Sequence, residues 1–313
     1  MTRRVAAIDC GTNSIRLLVA DLDPATGGVA QLDRRMEIVR LGQGVDATGE
    51  LAPEALARTF EACDTYAAAI RDLGAERVRF VATSAMRDAR NRDEFVEGVR
   101  LRFGVEPEIV SGDEEAALSF SGATQALARG GAADDEYPPP YLVVDIGGGS
   151  TEFVLGDGHV TAARSVDIGC VRLTERHLSG DPPTLGQIAA ARRDVDAALD
   201  LVAASVPLHE AKTVVGLAGS VTTIAAIALG LASYDRDRVH LARIRADAVR
   251  EVAGDLLAMD RAQRAAIPVL HPGRVDVIGA GALILARIVD RLGAARVVVS
   301  EHDILDGIAR SLG

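Results

Sequence analysis

An α/β protein of two related domains facing one cleft is what this 313-residue sequence predicts. Three observations carry the prediction. The stretch Tyr141 to Gly156, YLVVDIGGGSTEFVLG, reads as strand, glycine turn, strand, with an apolar β-branched run on one side and Thr151 to Leu155 on the other. The stretch Val5 to Asp21, VAAIDCGTNSIRLLVAD, has the same grammar, and sliding one onto the other aligns Asp9 with Asp145, Gly11 with Gly147 and Ser14 with Ser150. After each hairpin, helical and strand periods alternate, as an α/β domain requires. A repeat with so long a period is not a solenoid unit, and a chain of this length has material for about two domains.

The hairpins themselves argue for phosphate. A dinucleotide fingerprint or a Walker loop needs a helix after its glycines, and here Ser150, Thr151 and Glu152 open a strand instead. What remains is a tight turn whose backbone N–H groups, free of Cβ crowding, approach phosphate oxygens, with a carboxylate at the entrance for a cation. The bland alternative, a glycine turn without a ligand, loses ground because the pattern occurs twice.

Taken in order, the first hairpin leads to a third strand over Val29 to Leu41 and a loop through Gly42, Gly44 and Gly49. Pro53 suits the first turn of a helix whose apolar residues Leu56, Phe60, Cys63, Ala67, Ile70 and Leu73 stop at Gly74. A strand at Val78 to Ala82 releases the polar segment Thr83 to Asn91, which carries Arg87 in a position where α/β proteins make ligand contacts. A helix with Phe95, Val99 and Phe103 and a strand at Glu106 to Val110 follow. Ser111 and Glu114 then match a capping box, which commits Glu114 to the helix start and leaves Glu115 to point elsewhere.

Gly130 to Pro140, GGAADDEYPPP, reads as the linker, dividing residues 1–126 from 127–313, with a last helix near 303–313 that packs back on the first domain. Beyond the second hairpin come a strand at His159 to Val166, a helix from Cys170 to Leu178, and a longer helix capped by Thr184 and Gln187. The strand Thr213 to Leu217 runs through Gly219 and Ser220 into a helix, a third glycine turn with N–H groups able to face an anion. A helix over Val275 to Leu292, a strand at Val297 to Val299 and a helix over Glu301 to Leu312 complete the chain.

Composition excludes several classes. Apolar residues make up 48% of the chain, no uncharged apolar run reaches about 18 residues, and MTRRVAAIDCG enters the first strand directly, so a cytoplasmic protein without membrane contact is expected. Cys10, Cys63 and Cys170 suit reduced core positions rather than a disulfide framework or a zinc site. A net charge of −11 and the lack of Trp argue against a nucleic-acid binder. Lys212 is the only lysine. Arginines 236, 238, 243, 245 and 250 read first as a solvated face and second as a guide for a polyanion, and of the six histidines only His302 is expected near the cleft.

Six strings, AAIDCGTNSIRLLVAD, ATSAMRDARN, SGDEEAALSFSGA, VVDIGGGSTEFVLG, GLAGSVTTIAAI and VSEHDILDGIA, together resemble the exopolyphosphatase and guanosine pentaphosphate phosphatase family, within the actin-like ATPase and sugar-kinase superfamily. The matches run from residue 5 to about 310, and the length resembles the short two-domain members, so polymer-length preference stays open. The resemblance implies two ribonuclease-H-like domains flanking a cleft. It further implies Mg²⁺- or Mn²⁺-dependent hydrolysis of the terminal phosphoanhydride of inorganic polyphosphate or of guanosine pentaphosphate, in a homodimer.

Its pattern puts the catalytic glutamate at Glu115, with Arg87 on the transferring group. Asp9 and Asp145 are expected on the metal, with Glu152 as a further candidate. Gly11, Thr12, Asn13, Ser14, Gly147, Gly148, Gly149, Ser150, Gly219 and Ser220 are expected on phosphates. A sugar kinase lacks an acceptor signature here, and a non-catalytic polyphosphate or alarmone sensor is disfavoured because the base and the metal aspartates are present.

Overall fold

The computed structural model describes residues 2–23, 28–129 and 137–313, and these divide into two compact units, Met1–Gly122 with Ile304–Gly313, and Ala123–Asp303. Residues 130–136 of the expected linker lie outside the described residues.

Unit one opens with β1 (Arg3–Cys10), β2 (Ser14–Asp23) and β3 (Gly28–Ile38), an antiparallel meander. Next come α1 (Val45–Thr48), α2 (Pro53–Leu73), β4 (Arg77–Ala82), α3 (Ser84–Asp88), α4 (Arg92–Phe103), β5 (Glu108–Ile109) and α5 (Gly112–Arg129). The sheet order is β3-β2-β1-β4-β5, with β1, β4 and β5 parallel. The β5 pairing is two residues long, shorter than the Glu106 to Val110 run suggests. β1 is apolar at every step from Val5 to Ile8 because the pleat sends alternate residues to opposite faces and both are covered. Ala6, Ile8 and Cys10 join the core under α2 and α4, while Val5 and Ala7 join a second core with Leu118 of α5 and Ile304, Leu305 and Ile308 near the C-terminus. Phe80 meets Phe95 and Phe103 edge-on, contacts worth about 0.5–1.5 kcal/mol each beyond area burial.

Unit two repeats the plan. β6 (Tyr141–Ile146), β7 (Thr151–Gly156) and β8 (Val160–Val166) form the meander, followed by α6 (Cys170–His177), α7 (Leu185–Ala203), β9 (Thr213–Leu217) and α8 (Ala218–Ala228). With β10 (Arg243–Arg245) and β11 (Arg296–Val299), its order is β10-β11-β9-β6-β7-β8, so β8-β7-β6-β9-β11 matches unit one strand for strand and β10 is an added edge. The Thr184 and Gln187 capping box closes reciprocally.

The sequence reading leaves 236–265 unassigned; this stretch holds α9 (Arg236–Val239), β10, α10 (Ala246–Ala258) and α11 (Arg261–Ala265), the last opened by a second capping box, Asp260 with Gln263. α12 (Ile278–Leu292) is buried almost all round, β11 (Arg296–Val299) follows, and α13 (Ile304–Arg310) starts after Glu301 rather than at it. α13 packs on unit one so closely that Gly307 sits against the Leu118 carbonyl.

Candidate active site

Because β1, β4 and β5 are parallel, their C-terminal ends share one edge of the first sheet, the edge at which open α/β sheets take ligands. Asp9, the 11–14 turn, α3 and the start of α5 all lie there. The turn closes by Gly11 N–H donating to Ser14 O at 3.0 Å. Its carbonyls are tied from one side: Gly42 N–H donates to Thr12 O at 2.8 Å, and the Val39 and Arg40 N–H groups donate to Asn13 O. In a planar trans peptide the N–H points opposite to the C=O, so the N–H groups of Asn13 and Ser14 are turned away from that tie. Gly42 is required for the approach, since a Cβ there would lie 2.3 Å from the Thr12 methyl.

The side chains sort into roles. The Thr12 and Ser84 hydroxyls bond to each other at 2.8 Å, a buried contact that commits Thr12 to the interior. Asn13 Oδ1 is buried and accepts no hydrogen bond from the described residues, a state that costs about 1–3 kcal/mol until a donor arrives. Glu115, 8% exposed, accepts from Arg87 Nη1 at 2.7 Å, and the same nitrogen donates to Val110 O at 3.0 Å. The capping box is half formed: Glu114 N–H donates to Ser111 Oγ, but the Glu114 carboxylate pairs with Arg79 at 2.8 Å, an ion pair that outcompetes the fold-back on the helix start.

Asp9, expected on a metal, accepts from Arg16 Nε at 2.9 Å and Arg16 Nη2 at 2.5 Å. Arg16 is its direct cross-strand partner.

The second sheet repeats the edge with other chemistry. Gly147 N–H donates to Ser150 O at 3.0 Å, closing the same turn. Here the start of α6 ties the carbonyls: Cys170 N–H reaches Gly147 O, the Val171 and Arg172 N–H groups reach Gly148 O, and Arg172 Nε reaches Gly149 O at 2.7 Å. By the same planarity, the N–H groups of Gly148, Gly149 and Ser150 point away from α6 together, an anion-binding nest. Gly169 makes the packing possible, because a Cβ there would fall 2.4 Å from the Gly148 carbonyl.

Asp145 faces Glu152 across the strands, 6% and 0% exposed, and Glu152 Oε1 accepts from Ser165 at 2.8 Å. Two directly opposed carboxylates repel, and opposed pairs lie about 4.5–5.5 Å apart at Cβ. This all-oxygen pair fits a hard divalent cation such as Mg²⁺, which keeps several waters and takes one or two carboxylates plus substrate phosphates. A protein-only cage is not part of the arrangement, since no group of three or more ligating side chains occurs among the described residues.

β9 delivers the third turn to the same edge. Ala218 has φ 68°, left-handed for a residue with a Cβ and worth about 1–3 kcal/mol of strain, where α8 opens just ahead of Gly219 and Ser220. Arg274 lies directly on Gly219, where a Cβ would occupy the guanidinium's place. Beyond it Tyr234 donates a short hydrogen bond to Glu301, which Arg236 Nε also contacts at 3.3 Å. Burial holds the Glu301 carboxyl above its ordinary range. His302 stacks near His240, ring centroids 4.7 Å apart, within unit two.

The structure therefore gathers Asp9, Gly11 to Ser14, Arg87 and Glu115 at one sheet edge and Asp145, Gly147 to Ser150, Glu152, Gly219 and Ser220 at the matching edge of the other unit. Sequence reasoning passes over Arg16, Arg172 and Arg274. The signal for Arg16 was available: it stands seven residues after Asp9, as Glu152 stands seven after Asp145.

The model of the Ppx/GppA phosphatase family matches residues 18–312. The chain belongs to that family. It is 51% identical to Exopolyphosphatase 2 of Mycobacterium tuberculosis, over 99% of this chain and 98% of that protein. Among solved structures, an exopolyphosphatase-like protein superposes with a TM-score of 0.94 at 44% identity, covering 100% of this chain and 98% of that one. The Aquifex aeolicus PPX-GPPA enzyme superposes with a TM-score of 0.81 at 29% identity, covering 99% of this chain and all (100%) of that one. Ppx/GppA proteins have the actin-like two-domain fold, and the duplicated strand order here is its signature. No helix among the described residues is long and apolar enough to cross a membrane.

Proposed function

We propose that this Ppx/GppA phosphatase is an exopolyphosphatase, releasing phosphate from the end of inorganic polyphosphate with a divalent cation, Mg²⁺ or Mn²⁺. The observation that carries the reading is the matched pair of hairpin turns, each with its carbonyls tied back and its N–H groups turned outward, one beside a base and the other beside a carboxylate pair. Polyphosphate is a chain of charges without a recognisable head group, so recognition by backbone N–H groups and guanidinium groups suits it.

Glu115 orients the attacking water and takes its proton. The Arg87 contact at 2.7 Å gives that carboxylate a fixed position. Arg87 uses only Nη1 on protein groups among the described residues, so its remaining donors serve the transferring phosphoryl. In unit one the turn at Gly11 to Ser14 holds phosphoryl oxygens, and in unit two the turn at Gly147 to Ser150 does the same together with Gly219, Ser220 and Arg274. Asp145 and Glu152 hold the cation, which when bound neutralises charge on phosphoryl oxygens. Asp9, committed to Arg16, aligns that guanidinium toward the phosphates rather than ligating metal. The reading carries with it a cytoplasmic homodimer.

Guanosine pentaphosphate is the competing substrate, because the turns read phosphates and ignore what they are attached to. Phosphate release from the two substrates measured side by side is expected to favour polyphosphate in kcat/KM; a preference for guanosine pentaphosphate overturns the substrate assignment while leaving the hydrolase intact.

A further inference from the structure

At the other end of the second sheet from the proposed catalytic edge lies a basin of about 490 Å³, within the size range of small-ligand sites. It is lined by three cations, Lys212, Arg243 and Arg296, over a floor that includes Leu208 and Leu292, and none of its lining residues among the described ones is acidic. In a chain of net charge −11 that holds a single lysine, a cavity of one sign is a departure from the background.

Local structure puts the cations there. Lys212 stands immediately before β9, and its N–H donates to Pro140 O at 2.9 Å, while Thr213 Oγ1 donates to Pro138 O at 2.8 Å. These bonds hold the 138–140 wall against the strand. Arg243 and Arg245 are two apart on β10 and Arg296 is directly opposite Arg245 on β11, so the pleat brings all three to one face. Arg245 turns to Asp247 at 2.6 Å, whereas Arg243 lies over the Tyr137 ring, 4.7 Å from its centroid. Of the five arginines 236, 238, 243, 245 and 250, positions 236, 245 and 250 are in ion pairs with Glu301, Asp247 and Asp290, and Arg243 lines the basin. β9 runs from Thr213 at the basin to Leu217 at the catalytic edge, four steps of about 3.3 Å, or roughly 13 Å. The two sites are separate.

We propose that this basin is a second anion site that takes two or more contiguous phosphate groups. Two sources share that chemistry, a remote stretch of a polyphosphate substrate and a free phosphorylated anion. The binding claim stands apart from the catalytic reading; only the choice of source rests on it.

The test is calorimetric titration of inorganic tripolyphosphate, without divalent metal, into the full-length chain carrying Glu115→Gln. The parent is expected to show a binding event that weakens at least tenfold when Lys212→Gln, Arg243→Gln and Arg296→Gln are added, and several-fold with Lys212→Gln alone, at unchanged circular dichroism. An isotherm that neither set of substitutions alters overturns the site.

Kinetics of the triple variant on the Glu115 background then separate the sources. A KM raised for long polyphosphate only, at constant kcat, identifies a substrate stretch. Unchanged KM with the calorimetric loss identifies a free anion. If the chain with Glu115 intact hydrolyses no polyphosphate, the catalytic reading fails while the calorimetric result still decides the basin.

Discussion

The two hairpins share a backbone and differ in one cross-strand pair. In each, an aspartate is the last residue but one of the first strand, a glycine N–H closes the turn onto a serine carbonyl, and neighbouring residues tie the turn's other carbonyls. Opposite the aspartate stands Arg16 in the first and Glu152 in the second. The first pair is neutral in sum and presents a guanidinium; the second concentrates two negative charges below a tenth exposure. On the proposed reading, one duplicated scaffold yields a phosphate-facing half and a cation-facing half, and the residue type opposite the aspartate makes the difference. The ties differ as well. A loop from 39–42 braces the first turn, and a helix start braces the second, where Gly148 and Gly149 are in backbone-to-backbone contact with Gly169.

The largest expected effect falls on the first half. Glu115→Gln keeps shape and the Arg87 contact but removes the base, and kcat for phosphate release is expected to fall about 10²- to 10⁴-fold with KM little changed. A variant with wild-type turnover removes Glu115 from the role of base.

The braces come next. Gly169→Ala drives a Cβ into the backbone of Gly148 and Gly149, which cannot rotate away, and is expected to cost about 1–3 kcal/mol of stability together with a raised KM. Gly42→Ala meets the Thr12 methyl and the Ala85 Cβ instead, so its cost in a thermal melt is expected to be the smaller. Equal costs would mean that the turns are braced alike.

The smallest effect concerns the edge beyond the second turn. The folded-state carboxyl of Glu301 titrates above its ordinary value because burial disfavours its charge. Folding therefore favours the protonated form, and the associated stability, present below the ordinary glutamate value, is lost as pH rises through the raised one. Glu301→Gln is expected to flatten that step in melting temperature against pH. An unaltered profile assigns the step to another group.

Much of this was legible in the sequence because hairpins announce themselves locally. Continuous apolar runs beside the glycines marked the two turns, and the six-string resemblance was not needed to see that Asp9 and Asp145 occupy equivalent positions. The role of Glu115 came from the family resemblance, the capping pattern having only left it free, and Glu114 turned to Arg79 instead of the helix start, since a long-range ion pair is invisible to local reading. Arg274 and the Gly169 brace were hidden for the same reason: each depends on residues far apart in sequence meeting in space. The stretch 236–265 went unread because its elements are short or, in α10, lack a strong start signal: the residue before α10 is Arg245, with no side-chain cap.

The comparison of the hairpins rests most directly on where the cation goes. Mn²⁺ binding followed by electron paramagnetic resonance on the purified chain measures it. Asp145→Asn and Glu152→Gln are each expected to weaken binding about tenfold or more, whereas Asp9→Asn leaves it within about twofold. An Asp9→Asn variant that loses Mn²⁺ as severely as Glu152→Gln would contradict the division of labour between the two halves.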